Sequence, residues 1–209
     1  LSDAQRAEFL DVVKRGQVAL CGMYLNELTG LCRPEDSGHR SPLPRISAEQ
    51  TGRPIDSVMI SDVPGYTWGT VTAMAHAGIR YFNTAPNYFD RIGTILREWE
   101  NKPFWWVGPD GQSKVLVWIP FWGYALSHVY HDLSPRLVSE FYDGLEKRGY
   151  PYDIAHVRWS GHGDNAVPDP TICDFVKDWN AKYAWPRFVI SGVSEAFHAF
   201  EQRHGAQLP

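Results

Sequence analysis

The chain has 209 residues, a mass of 23.8 kDa and a formal net charge of −4 at pH 7. This length allows one domain with a hydrophobic core and falls short of the roughly 250 residues that a closed eightfold β/α barrel usually needs. Lysine and arginine are scattered, so we expect neither a nucleic-acid surface nor an anionic-membrane surface. No apolar run approaches the roughly 18 residues of a membrane span, and no signal-peptide pattern follows Leu1.

The cysteine and aromatic contents narrow the kinds of site that the chain can hold. Cys21, Cys32 and Cys173 are widely spaced and form no Cys-x-x-Cys pair, so unpaired thiols are predicted rather than a zinc knuckle or a disulfide framework. The chain also has nine Trp, ten Tyr and ten Phe residues. Because Trp and Tyr combine an apolar face with a polar edge, they suit sugar rings as well as a core. Composition therefore indicates a globular enzyme or a binding domain.

Apolar periodicity and helix-capping residues divide the chain into alternating strands and helices. Ser2, Ser134 and Ser194 are predicted helix caps, and Asp169-Pro170 repeats the signal of a capping residue followed by proline. Short apolar runs without the helical period predict buried strands. In chain order the predicted elements are a helix ending near residue 14, a strand at 18–24, a loop over 33–54, a strand at 57–61, a helix at 67–77, a strand at 79–82, a short helix at 91–99, a strand at 114–119, a helix at 134–149, a strand at 154–159, a helix at 169–182, a strand at 188–190 and a helix at 194–202.

This alternation predicts the fold class. Short, largely hydrophobic strands that alternate with helices are typical of a parallel sheet with helices packed on it. We therefore expect an α/β domain with mostly parallel strands, arranged either as a partial (β/α) barrel or as an open layer. Because no repeat, low-complexity tract or linker interrupts the sequence, residues 1–209 are expected to form one unit.

Polar side chains recur where the predicted strands end, and parallel α/β folds collect their functional groups at such positions. Asp62 follows the strand at 57–61, and Asn83 follows the strand at 79–82. The remaining strand-end residues are Tyr124 and His128 after 114–119, and His162, Asp164 and Asn165 after 154–159. If the strands are parallel, these side chains share one rim.

The two carboxylates on this rim, Asp62 and Asp164, suit two kinds of chemistry. In glycoside hydrolysis one carboxylate attacks or stabilises the anomeric carbon while the other donates a proton. Asp and His are equally the ligands of zinc and other divalent ions. Structural roles are also open at this stage, because Asp62 precedes Val-Pro-Gly and can cap a turn, and Asp164-Asn165 is a common turn pair.

Several segments, taken in order, form a pattern found in one enzyme family. Residues 61–68 read Ser-Asp-Val-Pro-Gly-Tyr-Thr-Trp and lead through a predicted helix to an Ala-Gly-Ile turn at 77–79. Residues 120–128 read Pro-Phe-Trp-Gly-Tyr-Ala-Leu-Ser-His, and residues 163–165 read Gly-Asp-Asn. These resemble the Asp-x-Phe-Gly-His-Ser, Pro-Phe-x-Ser-Tyr-Asp-x-x-His and Gly-Asp-Asp segments of the amino-terminal catalytic domain of glycoside hydrolase family 38, the α-mannosidases. Further similarity at 13–24, 34–36, 180–183 and 194–200 extends the resemblance over most of the chain.

The resemblance implies roles for particular residues. Asp62 would be the nucleophile of a retaining mechanism and also a zinc ligand, and Asp164 or its neighbour would be the general acid and then the base. Zinc in this family holds adjacent sugar hydroxyls, so it orients and distorts the ring rather than activating water. The substrate would be a carbohydrate with an α-mannosidic bond, and the candidate substrate-binding residues are Tyr66, Trp68, Asn83, Trp122, Tyr124, His128 and Asn165.

The sequence also departs from the family pattern. The family's first strand carries a His-x-Asp zinc pair that has no match here, and Ala125 and Asn165 occupy positions where the family has Asp. We therefore expect a partial catalytic domain whose zinc site is incomplete within the chain. Two alternatives stay open: a catalytically impaired carbohydrate-binding homologue, and a different metal-dependent hydrolase, such as a deacetylase, that uses His128, His131 and Asp62.

Overall fold

The structure is a computed structural model that describes residues 1–23, 26–32, 48–87 and 98–209. The helices that lie wholly within these ranges are α1 (Asp3–Lys14), α2 (Gly69–His76), α3 (Leu126–Tyr130), α4 (Pro135–Lys147), α5 (Ile172–Lys182) and α6 (Val193–His204). The strands are β1 (Ser57–Ser61), β2 (Tyr81–Ala85), β3 (Phe104–Val107) and β4 (Lys114–Trp118), and 3₁₀ turns occupy Thr29–Leu31 and Gly205–Gln207. The predicted α/β class is confirmed.

The four strands form one mostly parallel sheet in the order β1-β2-β4-β3. Strand β2 runs parallel to both neighbours, with Ala85 opposite Ser61 of β1 and Asn83 opposite Trp118 of β4. Strand β3 pairs antiparallel with β4 at the edge of the sheet. The carboxyl ends of β1, β2 and β4 therefore lie along the same edge, as the sequence predicts.

Each face of the sheet carries its own apolar layer, because successive side chains of a strand point to opposite faces. One layer packs the sheet against α2, and the other packs it against α6. The first consists of Val58, Ile60, Val63, Val71, Met74, Ile79, Phe82, Val115 and Val117. The second consists of Tyr81, Leu116, Trp118, Phe197 and Phe200.

Two helix starts agree with the capping residues in the sequence. The Ser2 hydroxyl accepts a hydrogen bond from the Gln5 backbone N–H, and the Gln5 side chain accepts one from the Ser2 N–H, which completes a capping box. The Ser134 hydroxyl caps α4 by accepting a hydrogen bond from the Leu137 backbone N–H, with Pro135 at the first helical position. Helix α6 instead begins after Gly192, and the Ser194 hydroxyl donates to Asp56.

Three predicted strands are wrong. Residues 18–23, 154–159 and 188–190 form no strand, although each has the apolar character of one. The first of these segments lies beside β1, where Gly22 donates a backbone hydrogen bond to Ser57 and the Asn26 side chain bonds to both backbone groups of Ser61. Apolar composition does not by itself produce strand pairing, which needs a regular ladder of hydrogen bonds. Ile154 packs on the sheet, whereas Val189 and Ile190 are exposed.

The boundaries of the strand predicted at 79–82 also need correction. Strand β2 runs from Tyr81 to Ala85, so Asn83 lies in the middle of a strand and does not follow one. Strand β3 was not predicted, because the four residues 104–107 are too few to show a period of two. Most of the predicted 33–54 loop and of the 91–99 helix lies outside the described residues. No described helix is long and apolar enough to cross a membrane.

Candidate active site

Asp62 is presented to solvent at the carboxyl end of β1. Its backbone N–H donates to the Ala85 carbonyl, at 2.9 Å, so the residue is fixed to the end of the neighbouring strand β2. Its φ of 59° lies in the left-handed region, which Asp tolerates better than most residues and which turns the chain sharply out of the strand. The exposed carboxylate accepts a 2.7 Å hydrogen bond from the Asn87 side-chain amide. One carboxylate oxygen is therefore oriented by the residue that follows β2.

Two aromatic residues follow Asp62 and have different environments. Tyr66 packs edge-on against Phe82 and accepts a hydrogen bond from the Thr84 hydroxyl at 2.9 Å. Burial raises the pKa of Tyr66 to about 12, so its phenol stays neutral at physiological pH. Trp68 is 58% exposed and its indole N–H donates to the Val107 carbonyl, which holds an apolar ring face at the surface.

Asn83 is fully buried within β2 and contacts a histidine that was not among the predicted site residues. Its amide nitrogen lies 2.7 Å from His156 Nε2. The His156 ring packs against Trp118, with ring centroids 5.5 Å apart, and burial lowers its pKa to about 4. His156 is therefore neutral at pH 7 and accepts the hydrogen bond from Asn83.

The segment after β4 carries three predicted site residues. Trp122 has a φ of 58°, and its backbone N–H donates to the buried carboxylate of Glu100 at 3.1 Å. The Tyr124 and His128 rings pack edge to face with centroids 5.3 Å apart, and both side chains are half-buried. Each of these two half-buried rings therefore helps to fix the position of the other.

Asp164 and Asn165 lie in an exposed loop that is anchored by its neighbours. Within the described part of the chain, the Asp164 carboxylate makes no hydrogen bond or ion pair. The loop is fixed instead through Ser160, whose hydroxyl lies 2.6 Å from that of Ser127, and through His162. His162 Nδ1 donates to the His131 carbonyl, and its Nε2 lies 3.1 Å from a carboxylate oxygen of Asp169.

This anchor has a defined charge state. Hydrogen bonds from the Thr171 side chain and backbone and from the Trp159 indole lower the pKa of Asp169 to about 2. The hydrogen bond from His162 to the His131 carbonyl, followed by the charge of Asp169, raises the pKa of His162. Both ring nitrogens of His162 face acceptors, so the imidazolium form is favoured.

Comparison with known proteins identifies the family. The family model for the glycosyl hydrolases family 38 N-terminal domain matches residues 2–209. The chain belongs to glycoside hydrolase family 38. The solved structure of an α-mannosidase from Enterococcus faecalis V583 is similar in fold, with a TM-score of 0.66 and 16% sequence identity. That match covers 99% of this chain and 22% of the E. faecalis chain, so this chain spans about a fifth of that protein's length. No curated protein matches the sequence.

The described residues of this family 38 domain bring only some of the predicted site residues into contact. Tyr124 and His128 contact each other, whereas Asp62 and Asn83 contact two residues that were not predicted, Asn87 and His156. Across residues 1–23, 26–32, 48–87 and 98–209, no three His, Cys, Asp or Glu side chains come together in a group that could hold a metal ion. The set His128, His131 and Asp62 is therefore not assembled as a metal centre there.

Sequence reasoning missed Asn87 and His156. Asn87 ends the Asn-Thr-Ala-Pro-Asn run that leaves β2, so its position after a strand was the available signal. His156 lies inside the segment predicted as a strand, where a histidine between apolar residues resembles an ordinary core residue. Its contact with Asn83 depends on how this segment crosses the sheet, which no local pattern encodes.

Proposed function

We propose that this family 38 domain supplies the catalytic carboxylates of a retaining glycosidase that cleaves α-mannosidic bonds. The observation that carries the proposal is Asp62, an exposed carboxylate at the carboxyl end of a parallel strand, within the segment that resembles the family's nucleophile motif. The E. faecalis protein with this fold is described as an α-mannosidase. Parallel α/β enzymes place their reacting groups at the carboxyl ends of strands, which is the position of Asp62.

The geometry around Asp62 suits a nucleophile. The Ala85 carbonyl fixes its backbone and the Asn87 amide binds Oδ1, which leaves the second carboxylate oxygen without a hydrogen bond to the described residues. In the proposed first step an Asp62 oxygen bonds to the anomeric carbon as the glycosidic bond breaks, and Asp164 protonates the departing oxygen. Asp164 then takes a proton from water as that water attacks the anomeric carbon and frees Asp62.

One exposed and three half-buried aromatic residues near the predicted rim suit the apolar faces of a sugar. Trp68 presents an exposed ring at the amino end of α2, a few residues after Asp62, and its indole N–H is already bonded to Val107. A ring held in this way loses little conformational entropy when a pyranose stacks on it. We assign Trp68, Tyr66, Trp122 and Tyr124 to the sugar-binding surface, together with His128 and Asn165 as the polar residues near the predicted rim. The prediction that Asn83 binds substrate is not kept, because its side chain is buried within β2 and bonded to His156.

Zinc stays a proposed cofactor on the strength of family membership alone. Asp62 is the one residue of this chain that matches a family zinc ligand, whereas a protein-bound zinc ion usually has three or four. The described residues therefore do not fit a complete zinc site, and we derive no catalytic step through the metal. Zinc titration of wild type and Asp62→Asn tests the assignment, because loss of a true ligand weakens binding, whereas equal affinities would exclude Asp62 as a ligand.

Hydrolysis of an aryl α-mannoside by the purified protein tests the catalytic proposal. Asp62→Asn keeps the shape of the side chain and removes its nucleophilic charge, so kcat should fall at least about a thousandfold. Asp178→Asn is the matched control, because Asp178 is an exposed aspartate on α5, and it should keep wild-type activity. NMR of the first-formed sugar should show the α-anomer. Unchanged activity in Asp62→Asn, or a β-anomeric product, would refute the mechanism.

A second candidate function is carbohydrate binding without turnover. It is favoured by Asn165, which stands where the family has an Asp and cannot act as a carboxylic acid. The left-handed φ of 51° at Asn165 suits either Asn or Asp, so backbone geometry does not explain the replacement. Calorimetric binding of methyl α-mannoside, with no hydrolysis of the aryl mannoside, would establish this function in place of the first.

A further inference from the structure

Arg158 lies in the irregular segment 154–159, two residues after His156. This segment packs on the sheet face that also carries α6, where Asn83 of β2 is opposite Trp118 of β4. His156 contacts both of these residues. Arg158 therefore extends from a segment that runs beside the buried polar side chains of the sheet.

The Arg158 guanidinium has no hydrogen-bond or ion-pair partner among the described residues, and its Nη1 atom is buried. Two neighbours of His156 are also incompletely satisfied. Asn83 Oδ1 and Trp118 Nε1 have no partner, although Asn83 is 0% and Trp118 is 2% exposed. Asn83 and Trp118 contact the His156 ring, and Arg158 interacts with it electrostatically. Buried polar atoms in proteins are nearly always hydrogen-bonded, so these unpaired atoms are available to a bound molecule.

The charge of Arg158 is not balanced by the titratable groups described around it. Among the described residues, the titratable groups that interact with Arg158 are Tyr66, Cys21 and His156. Burial raises the pKa of both Tyr66 and Cys21, and it lowers the pKa of His156, so all three are neutral at pH 7. Burial also lowers the pKa of Arg158 itself. A guanidinium nevertheless stays charged in proteins, and a buried charge without a counter-charge is costly.

We propose that Arg158 is the anchor of a binding site for an oxyanion, namely a carboxylate or a phosphate group of a small ligand. The planar guanidinium can donate two parallel hydrogen bonds to either group, and the ligand's negative charge supplies a counter-charge that no described residue provides. The unpaired Trp118 Nε1 is a further donor near His156, and the unpaired Asn83 Oδ1 can accept from a ligand hydroxyl. This binding site does not depend on whether the chain hydrolyses mannosides.

Binding of inorganic phosphate and of glucuronate, measured by thermal unfolding and calorimetry, tests the proposal and separates the two oxyanions. Sodium chloride at equal ionic strength serves as the reference. A ligand present at about ten times its Kd should raise the wild-type Tm by about 3 °C. Arg158→Met, which keeps the length and removes the charge, should reduce that shift at least fivefold. Arg187→Met, at an exposed arginine, should leave it unchanged.

Unliganded stability gives a second, independent readout. If the half-buried Arg158 has no counter-charge, Arg158→Met should have a Tm equal to or above that of wild type in chloride buffer. Arg158→Lys keeps the charge and loses the paired geometry, so it should retain only part of the oxyanion shift. The proposal is overturned if neither oxyanion shifts the wild-type Tm, if the Arg158→Met and Arg187→Met shifts are equal, or if Arg158→Met is destabilised without ligand.

Discussion

His156 should make the protein lose stability in mild acid, and the size of the effect follows from its surroundings. Its Nε2 atom faces the Asn83 amide nitrogen at 2.7 Å, so this atom must be unprotonated to accept the hydrogen bond. The ring also packs against Trp118 and Phe197, with centroids 5.5 and 6.4 Å away. Burial, and to a lesser degree the charge of Arg158, lowers the pKa of His156 from 6.5 to about 4.

The sign follows from proton linkage. The unfolded chain binds the His156 proton at an ordinary pKa near 6.5, and the folded chain resists it until about pH 4. Stability from this residue is therefore complete above pH 6.5 and is lost as pH falls. One pKa unit corresponds to about 1.36 kcal/mol, so the loss between pH 7 and pH 4 is about 3 kcal/mol.

Urea unfolding of wild type and His156→Gln between pH 7 and pH 4 measures this contribution. Glutamine can still accept from the Asn83 amide and does not titrate, so the variant should lose about 3 kcal/mol less than wild type over this range. Other carboxylates and histidines cancel in the comparison. Parallel losses in the two proteins, or an NMR titration of the His156 ring with a pKa near 6.5, would show that His156 is not held neutral by burial.

Three further predictions concern the loop that carries Asp164. Gly161→Ala would place a Cβ atom 2.6 Å from the Val167 carbonyl oxygen, so urea unfolding should show a free energy of unfolding lower by about 1–3 kcal/mol. Gly65→Ala is the control and should be close to neutral, because a Cβ atom there meets no atom within 4 Å. Asp169→Asn should lower the free energy of unfolding by about 2 kcal/mol at pH 7, because the neutral amide makes weaker hydrogen bonds than the carboxylate. Since the pKa of Asp169 is about 2, this difference in stability from wild type should shrink below pH 4 and vanish near pH 2. His162→Gln should be less stable than wild type at pH 5 and equal to it at pH 9. The reason is that a histidine whose pKa is raised by folding gives stability that is lost as pH rises. A stability difference that is independent of pH would contradict the imidazolium assignment.

The candidate nucleophile was predictable because its signals are local. Asp62 follows a short apolar strand and starts a turn into a helix, and both features are visible within a dozen residues of sequence. The same holds for the capping residues Ser2 and Ser134. Strand order was only partly predictable. The parallel arrangement of β1, β2 and β4 follows from strand–helix alternation, whereas the antiparallel edge strand β3 has only four aromatic and apolar residues, too few to show a strand pattern.

By itself, then, the sequence determined the elements whose stability comes from neighbours in the chain, together with the placement of Asp62 at a strand end. Only the tertiary structure decided that residues 154–159 cross the sheet without pairing, because strand pairing requires the backbone groups of a segment to meet those of a sheet edge in register, and apolar composition does not specify that. The same crossing brings His156 to Asn83 and leaves Arg158 without a partner among the described residues. Such long-range contacts depend on which surfaces meet after the sheet has formed, and no short stretch of sequence specifies them.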